Sequence, residues 1–483
     1  MTFTTLSFAA FLAIVFSAYW SLGRRGWQNI LIVAASYVFY AWWDYRFCGL
    51  MLLTCLTDFT VGALLGKTSS TTRRKILLAI SLTVDLGVLG FFKYYNFFIE
   101  SFSSLLASAG FDQSTWTLRI ILPVGISFYT FQSLSYTIDV YRRKMEPTGH
   151  LVDFMAFVSF FPQLVAGPIE RASRLLPQFQ RERTFNYEKA VDGCRLMLWG
   201  IFKKLYFADA LGRIVEPAYA DPTGTHGLQL GFASVCFAFQ IYCDFSAYSD
   251  IATGTARLLG FDLMRNFAFP YFSQNLVEFW RRWHISLSTW FRDYVYIPLG
   301  GNRSSCHWHA FSVMATFVLS GLWHGAAWTF VAWGAVHGFC TFLSMCLRKA
   351  SALRATDTPG GETVLPSLSV LARIMATFAI VTMGWVLFRA ENISVAWTVL
   401  SRTGWACVDP QGWAAFFHEF KGWGWLTRLA IFVLVEWFTR RETHPLALNK
   451  APKPVRWLVY TVLLWMALMS MELDPSAFIY FQF

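Results

Sequence analysis

The chain has 483 residues, of which 55% are hydrophobic, 18% are aromatic and only 14% are charged. Ordinary soluble domains carry about 25% charged residues, and a single soluble core stops growing at roughly 250–300 residues. This much apolar surface must face lipid, which excludes a disordered chain or a small disulfide scaffold and indicates a polytopic membrane protein. The net charge of +11 fits basic cytoplasmic loops better than nucleic-acid binding, so no nucleic-acid partner is expected.

Apolar stretches long enough to cross a bilayer, which takes about 20 residues, recur along the chain. They cover residues 4–22, 28–43, 47–66, 76–98, 120–140, 190–211, 228–252, 309–323, 325–347, 369–388, 426–439 and 457–472. We therefore expect an all-α fold with about 11–12 transmembrane helices, forming a single membrane domain over residues 1–483. The segment 151–168, interrupted by Pro162 and Gly167, is expected to be re-entrant or interfacial, because irregular backbone survives at membrane depth only when buried in protein or lining a wet cavity.

Basic residues give the orientation of these stretches. Arg24 and Arg25 follow the first stretch instead of preceding it, and further clusters follow the third, fifth, ninth and eleventh stretches. Because Lys and Arg collect in cytoplasmic loops, this pattern predicts that both termini lie outside the cytoplasm. The largest outer loop, 389–425, is rich in tryptophan and is expected to hold a helix resting in the membrane interface.

A first polar cluster lies at 279–303. It alternates bulky aromatic residues with Arg281, Arg282, His284, Arg292, Asp293 and Arg303. Ionisable groups at membrane depth are costly and mark functional candidates by default. Two interpretations remain open: an interfacial amphipathic helix whose arginines extend to lipid phosphates, or the wall of a pocket for an anionic ligand.

A second polar cluster surrounds His324, which lies between two apolar stretches and is flanked by Gly321 and Gly325. The stretch 309–323 would be about 22 Å long as a helix, shorter than the roughly 30 Å hydrocarbon layer, so His324 is expected within the membrane below an outward opening. Imidazole suits proton transfer without a metal, although a packed core histidine is the alternative. The run at 306–309 lacks a fourth ligand, and no metal site is expected.

The run around His284 and the element Trp323-His324-Gly325 resemble the signature of the membrane-bound O-acyltransferase family. Supporting segments lie at 122–132, 160–169 and 242–250, and the resemblance is densest over 118–346. It implies helices around a central funnel that opens to the outer face. It also implies that His324 is the catalytic histidine and that His284 occupies the second signature position, which holds His or Asn. Members of this family move an acyl group from a cytoplasmic thioester toward an acceptor beyond the membrane.

More narrowly, the chain resembles the branch of bacterial inner-membrane proteins that serve O-acetylation of envelope polysaccharides such as alginate. This resemblance implies acetyl-CoA or another acyl thioester as the donor substrate, with no bound cofactor. It also implies a polysaccharide acceptor, a periplasmic serine-type (SGNH) acetyltransferase as partner, surrounding membrane lipids and periplasmic termini. The predicted donor- or substrate-binding residues are Trp323, Arg281, Arg282, Asn302 and Arg303.

The segment 473–483 is a short apolar tail expected outside the cytoplasm. It ends in Phe478-Ile479-Tyr480-Phe481-Gln482-Phe483, which resembles the F-x-Y-x-x-F pattern of a small partner protein in teichoic-acid D-alanylation, whose tyrosine takes the acyl group. Tyr480 is therefore predicted to relay the acyl group, with an aromatic belt at the membrane interface as the alternative.

Other functions remain open at this point. A polysaccharide or lipid transporter, or an assembly subunit without acyl-transfer chemistry, would also need polar residues at membrane depth. A superfamily enzyme that uses a long-chain donor is a further alternative. Asp244 and Asp250 are expected to pair with arginine as structural residues, although a catalytic role is not excluded. His337 is assigned to packing.

Overall fold

A computed structural model of the chain describes residues 1–111, 117–303, 305–351, 364–419, 422–471 and 478–479. All regular secondary structure in these ranges is helical, which confirms the predicted all-α class. The described chain divides into two compact units, residues 1–197 with 248–264 and residues 198–247 with 265–483. The expectation of a single membrane domain stays a prediction.

The first unit is built mainly from the N-terminal helices. They are α1 (Leu6–Ser21), α2 (Arg25–Asp44), α3 (Cys48–Lys67), α4 (Thr71–Leu89), α5 (Tyr95–Ser108), α6 (Ile126–Tyr141), α7 (Leu151–Ser159), α8 (Ala172–Phe179) and most of α9 (Tyr187–Phe202). A π-helical segment, Gly90–Tyr94, joins α4 to α5.

The second unit contains the remaining helices, except that the end of α11 from Tyr248 onward belongs to the first unit. They are α10 (Asp209–Ala220), α11 (Gly227–Leu258), α12 (Leu276–Arg282), α13 (Ile285–Phe291), α14 (Cys306–His324), α15 (Trp328–Ser351), α16 (Leu368–Arg389), α17 (Ile393–Cys407), α18 (Pro410–Glu419), α19 (Trp423–Thr439) and α20 (Lys453–Met469). Shorter π and 3₁₀ turns lie at Lys203–Ala208, Arg292–Tyr296, Pro270–Phe272 and Gly301–Arg303.

Five helical stretches in the described ranges are long and apolar enough to cross a membrane, judged by length and composition. They are Arg25–Lys67, Thr71–Ser108, Gly227–Leu258, Trp328–Leu347 and Leu368–Arg389, and α1 is a shorter apolar helix. Helices occupy every apolar stretch found in the sequence, so their positions are confirmed. The number of crossings and the orientation stay predictions.

The start of the stretch 120–140 differs from expectation, because α6 begins only at Ile126. Gly125 precedes it with a φ of 76°, a backbone conformation that glycine adopts at little cost. A Cβ atom at Gly125 would also lie 2.8 Å from the carbonyl oxygen of Leu164. Glycine at this position thus lets the chain entering α6 lie directly against the segment 160–167.

The interruption predicted around Pro162 and Gly167 is confirmed. Helix α7 ends at Ser159, and a series of turns follows it, with nearly every residue from 153 to 170 buried. The Gln132 side chain donates to the Phe157 carbonyl oxygen over 2.6 Å, which satisfies one backbone acceptor of α7. The segment is therefore irregular backbone buried in protein, as the physical argument required.

Helices α14 and α15 form a closely packed antiparallel pair. Ser305 caps the start of α14 by accepting a hydrogen bond from the Trp308 backbone N–H over 3.4 Å. At the other end, a Cβ atom at Gly321 would overlap the carbonyl oxygen of Phe330, and one at Gly325 would overlap the Phe330 ring. The glycines beside His324 therefore permit close backbone approach, as predicted.

Candidate active site

His284 occupies the link between two short helices. Helix α12 is capped by the Asn275 side chain, which accepts from the Glu278 backbone N–H over 3.0 Å, and α13 starts at Ile285. Between them, His284 has a φ of 44°, in the left-handed region where histidine and asparagine are enriched among non-glycine residues. This left-handed backbone conformation sets the direction in which the His284 side chain projects.

Asn266 orients the His284 ring. Its Oδ1 atom accepts from the Ser286 backbone N–H over 3.2 Å and from the Ser286 hydroxyl over 2.9 Å. Because a backbone N–H can only donate, the Asn266 atom at this point is the oxygen. His284 Nδ1 lies 3.1 Å from the same oxygen and must donate its proton to it. The neutral imidazole then keeps its lone pair on Nε2.

Aromatic rings enclose His284, which is 1% exposed. The Phe245 ring meets the imidazole edge-on at a centroid distance of 4.6 Å, and the Phe267 ring stacks at 6.4 Å. Trp323 approaches from a third side at 6.0 Å. Such walls leave the ring little room to rotate and exclude bulk water from it.

His324 is the last residue of α14 and is 6% exposed. The Trp333 and Phe388 rings both meet its imidazole edge-on at 5.2 Å. The centroids of the two imidazoles, His324 and His284, are 6.4 Å apart. The two histidines that the sequence singled out are thus brought together in one place.

Both histidines line a single cavity of about 560 Å³, within the usual size range of small-molecule sites. Exposed Arg281 and Arg292 line it as well, so the cavity extends from exposed cationic groups to buried imidazoles. The remaining lining residues include Trp280, Ser288, Thr316, Ser320, Thr341 and Met345. An elongated acidic molecule could place its anionic end at the arginines and its reacting end at the histidines.

Other predicted binding residues lie elsewhere. Arg282 is buried and pairs with Glu278 at 3.0 Å, so it is not part of the cavity wall. Asn302 and Arg303 are exposed on the turn Gly301–Arg303 and do not line the cavity. Trp323 is buried against both histidines without lining the cavity. Tyr480 lies outside the described residues.

Two residues of the site, Asn266 and Arg292, are not among the predicted binding residues. Asn266 is 18 positions before His284, and nothing local in the sequence marks it. Arg292 belongs to the first polar cluster and lines the cavity. Conversely, the four-residue spacing of Glu278 and Arg282 is the spacing of a helical ion pair, and this signal could have removed Arg282 from the candidates.

A buried ion-pair network holds the described part of the C-terminal tail. Lys204 Nζ lies 2.7 Å from Asp244 and 2.8 Å from Asp209. The Ile479 backbone N–H donates to Asp244 Oδ2 over 2.7 Å, and the Lys204 ammonium lies 4.4 Å from the centre of the Phe478 ring. The partner expected for Asp244 was arginine, and here it is lysine.

His337 is 1% exposed and packs edge-on against the Trp280 ring at 5.2 Å. Trp333 lies between it and His324, with centroid distances of 5.0 Å and 5.2 Å. Neither ring nitrogen of His337 makes a hydrogen bond within the described part of the chain. These contacts are the packing environment expected from the sequence.

This arrangement can perform acid–base chemistry on a bound molecule. A neutral imidazole on the wall of a cavity can remove a proton from a hydroxyl group and return it to a leaving group. Nothing in the described ranges groups three or more His, Cys, Asp or Glu side chains as metal ligands. The two imidazoles are the groups on the cavity wall best suited to this proton transfer.

Comparison with known proteins agrees with this chemistry. The sequence model of the membrane-bound O-acyltransferase family matches residues 147–388, which include both histidines. A probable alginate O-acetylase of Azotobacter vinelandii is 43% identical over 460 residues, covering 94% of this chain and 88% of that protein. One of Pseudomonas aeruginosa is 42% identical over 388 residues, covering 80% and 71%.

A peptidoglycan O-acetyltransferase of Helicobacter pylori is 32% identical over 427 residues, covering 82% of this chain and 78% of that protein. The named relatives thus share O-acetyl transfer while differing in the polymer their names give. The family match spans half of the chain, and the relatives span most of it. The chain belongs to the membrane-bound O-acyltransferase family and is a membrane O-acyltransferase.

Proposed function

We propose that the protein takes an acetyl group from a cytoplasmic thioester, acetyl-CoA, and passes it toward hydroxyl groups of a polysaccharide outside a bacterial inner membrane. The observation that carries this proposal is the cavity that joins exposed Arg281 and Arg292 to buried His284 and His324. The names of the relatives, which refer to alginate and to peptidoglycan, support a cell-envelope polymer as the final acceptor.

The donor fits the two ends of this cavity. Guanidinium groups bind phosphate oxygens through charge-assisted hydrogen bonds, which suits Arg281 and Arg292 to the phosphates of a coenzyme thioester. The thioester carbonyl would then lie at the histidines. With the phosphates held at the exposed end, no anionic group has to cross the hydrocarbon layer, where its desolvation would cost many kcal/mol.

In the proposed step, His324 removes the proton of an acceptor hydroxyl as its oxygen attacks the thioester carbonyl. The tetrahedral intermediate collapses, the carbon–sulfur bond breaks, and the imidazolium returns the proton to the thiolate. An oxygen ester and a free thiol result, with no net consumption of protons. His284, held by Asn266 with its lone pair on Nε2, lies in the adjoining wall to orient the acceptor or the ring of His324.

We further propose that Tyr480 is the acceptor hydroxyl. A phenol, with a pKa near 10, is a more basic leaving group than a thiol near 8.5 and a less basic one than an alcohol, so a tyrosyl ester can pass its acyl group on. The buried positions of Phe478 and Ile479, 2% and 4% exposed, support a tail that returns into the second unit. A periplasmic serine-type (SGNH) transferase would then collect the acyl group from Tyr480.

Acyl labelling of the purified full-length protein tests this proposal. Incubation with isotopically labelled acetyl-CoA should label Tyr480, as located by peptide mass spectrometry, and Tyr480→Phe should remove the label while keeping the ring. Tyr187→Phe, at a tyrosine that is 73% exposed in the first unit, controls for nonspecific acetylation and should leave the tail label unchanged. Full labelling or full polymer acetylation by the Tyr480→Phe protein would discard the relay.

A further inference from the structure

Asp244 binds the described part of the C-terminal tail. Its Oδ2 atom accepts a 2.7 Å hydrogen bond from the Ile479 backbone N–H. The next residue on α11, Phe245, places its ring 4.6 Å from the His284 imidazole. We propose that Asp244 is a positioning residue that docks the tail through Ile479 and so assists acyl loading of the tail, an inference that rests on the proposed role of Tyr480.

The charges around Asp244 prepare it for this contact. Its Oδ1 atom lies 2.7 Å from the Lys204 ammonium, which also pairs with Asp209 at 2.8 Å. Lys204 therefore fixes one oxygen of the Asp244 carboxylate and leaves the other pointing at the Ile479 backbone N–H. A backbone N–H bound to an ionised carboxylate makes a stronger hydrogen bond than one bound to a neutral acceptor.

The Phe478 ring adds a second contact on the same group. The Lys204 ammonium lies 4.4 Å from the centre of this ring, within the range of a cation–π interaction. Lys204 thus contacts both parts of the docking site. One is the Asp244 carboxylate, which accepts from the Ile479 N–H, and the other is the Phe478 ring. The pair Phe478 and Ile479, here called the C-terminal anchor, is recognised by backbone and by ring together.

The spacing along the tail explains why the anchor precedes the tyrosine. Consecutive Cα atoms are about 3.8 Å apart, so a residue that follows Ile479 directly is tethered within one residue of the docking point. Docking at Asp244 therefore limits how far the residues that follow Ile479 can move from this point of the second unit.

The contacts that hold the anchor are reversible. Ile479 donates a backbone hydrogen bond to Asp244, and the Phe478 ring contacts the Lys204 ammonium, and neither contact is covalent. A tail held in this way can dock to receive the acyl group and undock to deliver it. Loss of the Asp244 contact should therefore slow acyl loading of the tail without removing the histidine chemistry.

Hydrogen–deuterium exchange of the full-length protein in detergent tests docking directly. In wild type the amides of the C-terminal peptide should exchange slowly, and Asp244→Asn should speed their exchange about tenfold, the loss expected for a hydrogen bond to a charged group. Tyr480→Phe, which leaves the anchor intact, is the control and should exchange as wild type does. Equal protection in the Asp244→Asn and wild-type proteins would overturn the proposal.

Acyl loading tests the positioning role. Ile479→Pro removes the donor N–H, whereas Ile479→Ala keeps that N–H and serves as the matched control. Ile479→Pro and Asp244→Asn should each slow transfer from labelled acetyl-CoA to the tail about tenfold. The double variant should be no slower than the Ile479→Pro protein, because Asp244→Asn weakens the same hydrogen bond that Ile479→Pro removes.

The outcomes separate this inference from the function on which it rests. Altered exchange with no label on the wild-type tail would keep docking and reject the relay. Normal labelling that vanishes in Tyr480→Phe, together with Asp244→Asn and Ile479→Pro effects that multiply, would keep the relay and reject docking through this bond.

Discussion

The two ends of the cavity are built in opposite ways. At the buried end, Asn266 and aromatic rings hold the two imidazoles at fixed positions, and His284 is tied to Asn266 at 3.1 Å. At the other end, Arg281 and Arg292 are exposed, and Arg292 pairs with its neighbour Asp293 at 2.8 Å. The first end is buried, whereas the second is exposed.

This difference assigns proton transfer to the histidine end of the cavity and binding of the anionic donor to the arginine end. Electrostatic interactions weaken in high dielectric and with added salt, so contacts at the arginine end should be individually weak and salt-sensitive. Proton transfer, by contrast, needs reacting atoms at hydrogen-bond distance, which only the shielded end can hold. Substitutions at the buried end should therefore change kcat, and substitutions at the exposed end should change KM.

The largest effect is expected at His324. His324→Ala should lower kcat for acyl transfer by about 10²–10⁴-fold, the usual contribution of a general base, while KM for acetyl-CoA changes little. His307→Ala, an exposed histidine at the start of the same helix, is the matched control. Acyl transfer at the wild-type rate by the His324→Ala protein would refute a catalytic role for the buried end.

Asn266 should give the next largest effect. Asn266→Ala removes the acceptor that holds the His284 ring and should lower kcat by about 10–100-fold, as loss of a partner of a functional histidine does at metal sites. Asn266→Asp keeps an acceptor oxygen at the same place and should recover a substantial part of the rate. If both variants lose activity equally, Asn266 supports the fold and does not orient His284.

A smaller effect is expected for the cavity arginines. Arg281→Gln and Arg292→Gln should each raise KM for acetyl-CoA about fivefold, since an exposed charge contact contributes up to about 1 kcal/mol. Raising the salt concentration should reduce the difference between variant and wild type, because exposed charges are screened. A loss in kcat at unchanged KM would show that the two ends are not divided in this way.

The smallest effect is expected for Arg303, which tests whether the arginine end of the cavity is limited to Arg281 and Arg292. Arg303 belongs to the same sequence cluster as Arg281 but is exposed outside the cavity wall. Arg303→Gln should change KM less than about twofold, as expected for a surface substitution away from a site. An effect as large as that of Arg281→Gln would extend the anionic site to the turn Gly301–Arg303.

The sequence predicted the helices well because long apolar runs carry their own signal. It also selected His284 and His324, whose polar character is conspicuous beside apolar stretches. Helix α6 starts later than predicted because Gly125, at a φ of 76°, interrupts the apolar run, a local effect that composition does not register.

Contacts between residues distant in the chain could not be predicted from the sequence. Asn266 meets His284 only after the chain has folded around α12, and Lys204 meets Asp244 across a separation of 40 residues. No periodicity links such pairs in the sequence. Arg282 shows the opposite case, because its pairing with Glu278 is local and four residues apart, so the sequence contained the information that it was already neutralised.

The turn at position 284 also limits which replacements evolution can sample there. With a φ of 44°, a β-branched or bulky residue would have to distort the junction between α12 and α13. Asparagine tolerates this geometry nearly as well as histidine and brings an amide that can both donate and accept. The backbone conformation at position 284 therefore restricts the residue types that fit there, whatever their reactivity. Histidine and asparagine both fit it, although their side chains differ in basicity.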